Sequence, residues 1–188
     1  MQPTKFRFHG GRLCLDFLAT VVGRYREPVD QLSTPHAVGR WFHQAGLIAE
    51  IPEVRDSEVA TVAELREAIY RLVHPDTRGT PSDGDIGTVN YFASQNGPYP
   101  VLAADARSAT NCSTHPVPAC LSVVAGDAIR LLSSAELAGV RECSGPDCSV
   151  LFLDASRSNQ RRWCDMSRCG NQAKASRHRR RQLSGASD

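Results

Sequence analysis

The sequence predicts an α+β protein with a mostly helical N-terminal domain, a few strands, and a small four-cysteine module that ends in a basic helix. Apolar residues recur at helical spacing in several segments, four cysteines form two pairs late in the chain, and a dense arginine run follows the last pair. The 188 residues, 41% hydrophobic and 22% charged, suit one globular domain plus a small module. We predict a helical domain over 1–140, the module over 141–182 and a disordered tail over 183–188.

The first half of the N-terminal domain contains two segments with clear helix signals. Residues 12–20 precede both and fit either a strand or the start of a buried helix, because their apolar period is ambiguous. Thr34 can cap a helix whose first residue is Pro35, and Gly46 suits its exit. A longer amphipathic helix is expected from residues 56–57 to residue 74, where a proline follows.

The second half of the N-terminal domain has weaker signals. We expect a short helix over residues 85–94. Residues 99–106 and the residues near Pro116–Pro118 are expected to pair as a hairpin with a poorly ordered tip. Apolar residues at helical spacing between Leu121 and Leu132 predict a further amphipathic helix, which would be the last of the domain.

The apolar runs of the sequence are all short, which bears on the compartment. The opening stretch MQPTKFRFHGG lacks the apolar run of a signal peptide, and apolar stretches elsewhere are far shorter than a membrane span. We therefore expect a cytoplasmic protein with no membrane partner. Because thiols stay reduced in the cytosol, clustered cysteines there favour metal binding or catalysis over disulfides.

The net charge of +2 hides a strong asymmetry along the chain. Residues 157–182 contain nine arginines and lysines and one acid, Asp165, so this stretch carries +8. The rest of the chain therefore carries −6, since the whole sums to +2. Arginine is the usual base throughout, with twenty arginines against two lysines, so the clustering rather than the residue type is informative. An acidic body with a basic end predicts an anionic partner at that end.

Four cysteines after residue 142 have the spacing of a metal site. Cys143 and Cys148 form one C-x4-C pair, Cys164 and Cys169 form a second, and fifteen residues separate the pairs. Two such pairs in a reduced compartment match a closed tetrahedral site of four thiolates, which predicts one structural Zn²⁺. Two disulfides, unrelated buried thiols and an iron–sulfur cluster are the alternatives. A catalytic zinc is disfavoured, because such a site keeps one position open for water.

The residues around these cysteines supply a turn and a small core. SGPD inside the first pair favours a turn, and VLFLD after it favours a short strand that packs with Trp163. A module of about 40 residues is too small to fold by burial alone. Metal binding stabilises comparable zinc peptides by roughly 10–16 kcal/mol at neutral pH. Cys14, Cys112 and Cys120 lack paired spacing, and we expect them to be core or loop residues.

The residues after the last paired cysteine predict a basic helix that contacts nucleic acid. Good helix formers without proline follow it, so a helix can begin at Gly170 or Asn171. Lys174, Arg177, His178 and Arg181 would then form one stripe, which Arg180 widens. Duplex DNA offers closely spaced phosphates and a major groove that admits a helix, whereas a solvated, frayed tail is the alternative. The candidate nucleic-acid-binding residues are Arg161, Arg162, Arg168, Asn171, Lys174, Arg177, His178, Arg180 and Arg181.

Two stretches of the chain resemble known protein families. CSGPDCSVLFLDASRSNQRRWCDMSRCGNQAKASRHR closely resembles the CGNR zinc finger. FRFHGGRLCLDFLATV, followed by STPHAVGRWFHQAGL, resembles the ABATE domain that precedes this finger in bacterial proteins. The resemblance covers about residues 6–182 and implies a stress-induced transcriptional regulator with a zinc-bound end that binds DNA. It also implies that the zinc ligands are Cys143, Cys148, Cys164 and Cys169.

Two positions depart from the pattern of these families. The signature Cys-Gly-Asn-Arg ends here in Gln172, so a neutral amide replaces a charge. If the family arginine touches DNA, this chain lacks that contact, and if it packs on the zinc site, glutamine can substitute for it. Ala19 stands where the family pattern typically has asparagine, so a polar role of that position is not carried over to this chain.

The sequence favours one function over two rivals. We expect a zinc-dependent DNA-binding regulator whose N-terminal domain binds a small-molecule effector or forms a homodimer. The alternative is an adaptor that docks an acidic protein, or an RNA-binding module, although exposed aromatic platforms for single strands are not expected. An enzyme is not expected, because the polar candidates His9, Asp16 and His43 come without a recognisable nucleophile, phosphate loop or ligand pattern.

Overall fold

The structure has the predicted α+β architecture. The computed structural model describes residues 5–77, 80–145 and 147–176. The helices are α1 (Leu13–Leu18), α2 (Pro35–Gln44), α3 (Asp56–Val73), α4 (Asp83–Ala93) and α5 (Pro116–Leu132). The strands of the described residues form antiparallel pairs, which are β1 (Val21–Val22) with β2 (Val29–Asp30), β3 (Tyr99–Leu102) with β4 (Ala109–Cys112), and β5 (Val140–Glu142) with β6 (Leu151–Leu153). A 3₁₀ turn (Ala135–Gly139) precedes β5, and a π-helical turn (Met166–Gly170) leads into helical residues 171–176.

Local sequence signals set the ends of α2 and α3 as predicted. The Thr34 hydroxyl accepts a hydrogen bond from the N–H of Ala37 at 3.3 Å, one residue before α2 begins. Gly46 follows α2 with a φ of +72°, a conformation in which a side chain would be strained. At the start of α3, the N–H of Arg55 donates to the Glu58 carboxylate at 2.8 Å. These caps satisfy backbone groups that the helix itself leaves unpaired.

The main hydrophobic core lies between α1, α3, α4 and α5, with α2 packed on α3. Residues 12–20, whose period was ambiguous in the sequence, form the short helix α1, and Leu15 and Phe17 are fully buried. The Trp41 ring packs against Phe17 with 5.1 Å between ring centres. Burial of this kind, rather than helix propensity, stabilises so short a helix as α1.

The predicted hairpin pairs with a different segment from the one expected. Tyr99 lies opposite Cys112 and Leu102 opposite Ala109, so residues 99–102 pair with 109–112. The expected partner residues, Pro116–Pro118, form the first turn of α5 instead, so that prediction was wrong. A proline lacks a backbone N–H, and the first helical turn is the place where that N–H is not needed. As a result α5 begins at Pro116, five residues before the apolar stripe that predicted it, which begins at Leu121.

Strands β5 and β6 connect the helical domain to the cysteine module. Val140 and Leu151 are buried in the main core, whereas Phe152 on β6 is buried in a second cluster around the cysteines. The predicted boundary at residue 140 falls on the first residue of β5. The predicted tail, 183–188, lies outside the described residues. Among the helices that the structure describes, none is long and apolar enough to cross a membrane.

Candidate metal centre and nucleic-acid interface

The first cysteine pair is held by a turn and by strand pairing. The N–H of Cys143 donates to the carbonyl of Val150 at 3.0 Å, which continues the β5–β6 ladder. The N–H of Cys148 donates to the carbonyl of Gly145 at 3.2 Å, which closes the turn predicted from SGPD. A Cβ at Gly145 would lie 3.4 Å from the sulfur of Cys169, so the small residue lets the two halves of the module approach.

The second cysteine pair spans the π-helical turn. The Asp165 carboxylate accepts hydrogen bonds from the N–H and the hydroxyl of Ser167, at 2.7 and 2.8 Å, and so caps this turn. The N–H of Cys169 then donates to the Asp165 carbonyl at 3.0 Å. The wide turn places Cys169 beside Cys164, with 3.8 Å between their sulfurs. Cys169 is thus the last ligand and also part of the turn that leads into helical residues 171–176.

The four sulfurs have the spacing of ligands around a single tetrahedral ion. They lie within 4.8 Å of one another, and the Cys148 and Cys164 sulfurs are 3.7 Å apart. Four sulfurs that each lie ~2.3 Å from a tetrahedral zinc are about 3.8 Å apart. A disulfide requires ~2.05 Å, so all four cysteines are free thiols, and a cluster of several irons would hold its ligands farther apart. The four cysteines therefore form a site for one zinc ion.

The electrostatics of the four thiols also favour a divalent cation. Hydrogen bonds from Cys148 and Cys164 lower the pKa of Cys143 to about 2. The hydrogen bond with Cys143 raises the pKa of Cys164, and burial raises the pKa of Cys169 to about 12. Since one ionised sulfur suppresses ionisation of its neighbours, all four can be thiolates at neutral pH only around a cation.

A backbone donor and an arginine support the thiolates from outside. The N–H of Cys164 donates to the Cys143 sulfur at 3.3 Å. Arg161 donates through Nε to the carbonyl of Trp163 at 2.9 Å, and its terminal nitrogen donates to the carbonyl of Cys164. Its guanidinium also lies 4.5 Å from the ring centre of Phe152. Such outer contacts fix the orientation of metal ligands.

The module is packed directly on the N-terminal part of the chain. Ala19, at the end of α1, is 3% exposed and lies in the same buried cluster as Phe152 and three of the cysteines. The N–H of Leu153 donates to the carbonyl of Gly10 at 2.7 Å. The position where the family pattern typically has asparagine is therefore a packing position here, and a small apolar side chain fills it.

Two family models match most of the chain. The model of the ABATE family, described as "Putative stress-induced transcription regulator", matches residues 11–135. The chain belongs to the ABATE family. The model of the CGNR zinc finger matches residues 140–182 of this ABATE protein, and that range contains all four clustered cysteines. A search of curated proteins gave no match. Both resemblances noted in the sequence are confirmed.

Some of the residues predicted to contact nucleic acid are exposed on the CGNR finger, and others form hydrogen bonds within it. Arg162, Arg168 and Lys174 are exposed. Arg161 is half-buried and engaged with backbone carbonyls, which gives it a structural role. Asn171 is exposed, but its amide donates to the carbonyl of Ser167 at 2.9 Å. The remaining candidates, Arg177, His178, Arg180 and Arg181, lie outside the described residues, and none of these nine assignments is tested by the geometry.

The two aromatic residues expected to be structural pack inside the finger. Phe152 is fully buried, and Trp163 packs against the cysteine cluster. The Arg162 guanidinium lies 5.5 Å from the Trp163 ring centre. The Trp163 ring is therefore engaged by the finger and by an arginine, which leaves it poorly suited to stack on single-stranded bases.

The polar residues considered for an enzyme have separate surroundings. The imidazole of His9 lies 3.7 Å from the Asp165 carboxylate of the finger. The Asp16 carboxylate accepts a hydrogen bond from the N–H of Gly10 at 2.7 Å, and burial raises the pKa of Asp16 to about 6. His43 is exposed in the last turn of α2. The two matched families are described as a regulator and a zinc finger, not as enzymes.

The ABATE domain contains partly buried ion pairs that sequence analysis missed. Arg66 is 2% exposed and binds both carboxylate oxygens of Asp30, at 2.8 and 2.7 Å. Arg12 donates to the Asp127 carboxylate at 2.8 Å, and that carboxylate also accepts the N–H of Cys14 at 3.0 Å. These partners are far apart in the sequence, so no local spacing signals them.

A cavity of about 460 Å³ lies between the end of α3 and the finger. His74 at the end of α3 is buried, and its Nε2 lies 3.2 Å from the Tyr25 hydroxyl and 3.5 Å from the Glu142 carboxylate. Burial and hydrogen bonds with Tyr70 and Glu142 raise the pKa of Tyr25. The polar residues that line the cavity include His74, Asp76, Arg141, Glu142, Asn159 and Arg162. Its volume is that of a small-molecule site.

Proposed function

We propose that this ABATE protein is a zinc-dependent transcriptional regulator that binds duplex DNA through the basic end of its CGNR finger. In this proposal the zinc ion is structural, because all four of its positions are taken by cysteine. The ABATE domain serves as the body that senses an effector or forms a homodimer. As a regulator of transcription in a bacterial cell, the protein would act in the cytoplasm.

One observation carries the proposal: the helical residues that precede the arginine run begin beside a zinc ligand. Cys169 lies in the π-helical turn, and helical residues 171–176 follow that turn directly. A charged C-terminal segment without such an anchor would lose much conformational entropy on binding. Here zinc binding orients the first turns before any partner arrives, so less entropy remains to be lost when the helix docks.

The charges of the finger suit a polyanion. Arg162, Arg168 and Lys174 are exposed on the described part of the module. The sequence adds Arg177, Arg179, Arg180 and Arg181 directly afterwards. Like charges at this density repel one another, and closely spaced phosphates relieve that repulsion. Duplex DNA is favoured over single-stranded RNA because the finger's aromatic rings are packed inside it.

Two features of the body support its proposed role. The cavity at the end of α3 is large enough for a small polar effector and touches both the body and the finger. The β3–β4 hairpin presents Tyr99, Val101 and Leu102 to solvent, at 50%, 41% and 65% exposure. Exposed apolar residues grouped on one element are typical of protein contact surfaces, and a second copy of the chain is the partner that a homodimer requires.

Fluorescence anisotropy of the zinc-loaded protein with a mixed-sequence duplex, over a series of salt concentrations, tests the DNA-binding proposal. Four or five phosphate contacts give a slope of log affinity against log salt of roughly −4. Replacement of Arg177 and Arg181 by alanine is expected to weaken binding and flatten this slope while zinc content stays the same. An absence of binding even at low salt contradicts the proposal and favours the adaptor that binds an acidic protein.

A further inference from the structure

Residues 5–10 form a short segment that lies outside both family matches, since the ABATE match begins at residue 11. Its sequence, KFRFHG, alternates basic residues with phenylalanines. Phe6 is 4% exposed, and Phe8 stacks on Trp41 with 6.2 Å between ring centres. Lys5 and His9 are exposed, and Arg7 is half-buried. The segment thus buries Phe6, while Phe8 lies over Trp41 and remains 37% exposed.

This segment contacts the zinc finger through two hydrogen bonds and one contact between an imidazole and a carboxylate. The carbonyl of Gly10 accepts the N–H of Leu153 on β6 at 2.7 Å, and the carbonyl of His9 accepts a guanidinium nitrogen of Arg161 at 3.4 Å. The His9 imidazole lies 3.7 Å from the Asp165 carboxylate. Together with the burial of Phe6, these contacts hold the segment in a defined place beside the second cysteine pair.

A narrow groove of about 180 Å³ runs between the segment and the finger. It is lined by Lys5, Phe6, Arg7, His9, Cys164, Asp165, Arg168 and Cys169. Its cations come from both sides, with Lys5 and Arg7 on the segment and Arg168 on the π-helical turn. Among the residues that the structure describes, no carboxylate lies within ion-pair distance of these three cations. The acid of the groove, Asp165, accepts two hydrogen bonds from Ser167, which lower the pKa of its carboxyl.

We propose that this groove binds a backbone phosphate of duplex DNA, so that the N-terminal segment and the zinc finger form one continuous DNA-binding surface. The proposal rests on the proposed function and adds a contact from outside the finger. The three cations outnumber the one ionised carboxylate of the groove, Asp165, and a phosphate is a compact anion whose several oxygens can accept hydrogen bonds from them. Because Arg168 lies both in the groove and before the basic helix, a phosphate held there extends the strand that the helix contacts.

The chain outside residues 157–182 is acidic, and a basic groove formed by its N-terminal segment therefore stands out from the rest of that surface. Electrostatic repulsion between the −6 remainder of the chain and DNA would otherwise turn the body away from the duplex. Lys5 and Arg7 place positive charge where the body meets the finger. The inference predicts that the affinity of full-length protein for DNA depends on residues outside the zinc module.

The test compares three double variants of the zinc-loaded full-length chain in anisotropy titrations with a mixed-sequence duplex at several salt concentrations. The groove variant is Lys5→Gln with Arg7→Gln, and the finger variant is Arg162→Gln with Lys174→Gln, neither of which lines the groove. The control is Arg55→Gln with Arg130→Gln, which removes the same charge from the start of α3 and from the end of α5. Zinc content and thermal unfolding are measured for each protein so that only folded, loaded chains are compared.

We expect the groove variant to bind the duplex about tenfold more weakly than the wild type at 0.1 M salt. Its slope of log affinity against log salt concentration should be less steep by roughly 0.9 for each phosphate that the variant no longer binds. The control pair should change the affinity much less. A groove variant that binds like the wild type, beside a weakened finger variant, overturns this inference and leaves the proposed function standing. Equal reductions of affinity in the groove and control variants indicate an effect of net charge alone and also overturn it. A wild-type protein that does not bind the duplex overturns both.

Discussion

The guanidinium of Arg161 lies 4.5 Å from the ring centre of Phe152, a fully buried residue of β6. The same guanidinium donates to the carbonyls of Trp163 and Cys164. This arginine therefore joins the strand that follows the first cysteine pair to the segment that carries the second. It is a bridge inside the finger, although its sequence context suggested a contact with DNA.

Replacement of Arg161 by alanine should weaken the zinc site without removing a ligand. The carbonyls of Trp163 and Cys164 lose charged donors, and hydrogen bonds to charged groups contribute about 1.5–3 kcal/mol each. We expect zinc to be taken up by a competing chelator at lower chelator concentration, while the 1:1 stoichiometry at saturating zinc is kept. Arg162→Ala, which removes an exposed neighbour, is the matched control and should leave zinc affinity nearly unchanged. Equal effects of the two substitutions would contradict the bridging role.

Local signals in the sequence predicted the features that depend on neighbouring residues. The cap at Thr34, the left-handed glycine at Gly46 and the limits of α3 follow from side chains within four residues of each helix end. The zinc site was equally accessible, because two cysteine pairs with short spacers must lie close together wherever the chain turns. The positions of these helix ends and of the metal site could therefore be predicted from the sequence alone.

Features that depend on distant partners were not predictable in the same way. Nothing near residue 99 indicates that its hairpin partner is 109–112 rather than the prolines at the start of α5. Arg66 lies next to Val62 and Val73 in a helical projection of α3, but nothing in that spacing indicates that its partner is Asp30. Charge clustering likewise identified Arg161 without indicating that its donors turn inward. The direction of a side chain and the identity of its partner depend on the tertiary fold, whereas a single sequence shows only residue types and their spacing.

The Asp16 carboxyl should make the protein less stable as the pH rises from about 4 to about 6. Burial raises its pKa from 3.8 to about 6, so between these values the folded chain binds more protons than the unfolded chain. Stability therefore falls with increasing pH over this window, by up to about 3 kcal/mol at 1.36 kcal/mol per pKa unit. Asp16→Asn keeps an oxygen that can accept the N–H of Gly10 and removes the titration.

Chemical unfolding of Asp16→Asn and the wild type across pH checks this expectation. The free energy of unfolding of the variant should equal that of the wild type near pH 4 and exceed it above pH 6. Acids with lowered pKa values, such as Asp30 and Asp127, act oppositely and reduce stability as the pH falls toward their folded-state values. Asp30 is present in both proteins, so its contribution cancels in the difference, whereas the repulsion between Asp127 and Asp16 is part of the Asp16 effect itself. A difference that does not vary with pH would exclude Asp16 as the source.

Loss of one zinc ligand should unfold the finger and leave the helical body folded. Cys164→Ser removes a thiolate that lies within 4.8 Å of the other three sulfurs, so zinc affinity should fall sharply. Strands β5 and β6 should persist, because Val140 and Leu151 are buried in the main core. Hydrogen exchange is expected to accelerate over residues 154–176 and to change little in α3 and α5.

Cys112→Ser provides the control for this substitution. Cys112 lies at the end of β4 outside the metal cluster, so its replacement should keep one zinc per chain and the exchange pattern of the wild type. If Cys164→Ser also abolished the cooperative melting of the helical body, the two parts would fold as one unit, and the predicted division at residue 140 would fail.

Gln172 occupies the position at which the CGNR signature has arginine, and its side chain is exposed in the helical residues that follow Cys169. It comes four residues after Arg168, so an arginine there would lie on the same side of the chain as an existing cation. We expect Gln172→Arg to raise duplex affinity several-fold and to steepen the slope of log affinity against log salt concentration by about 0.9, the value for one added phosphate contact.

Zinc stoichiometry should not change in this variant, since residue 172 is exposed and is not one of the four clustered cysteines. Ala60→Arg adds the same charge on the exposed side of α3 and should have little effect on either quantity. An increase in zinc affinity without any change in DNA binding would instead mean that the family arginine supports the metal site, a role that Gln172 would then share.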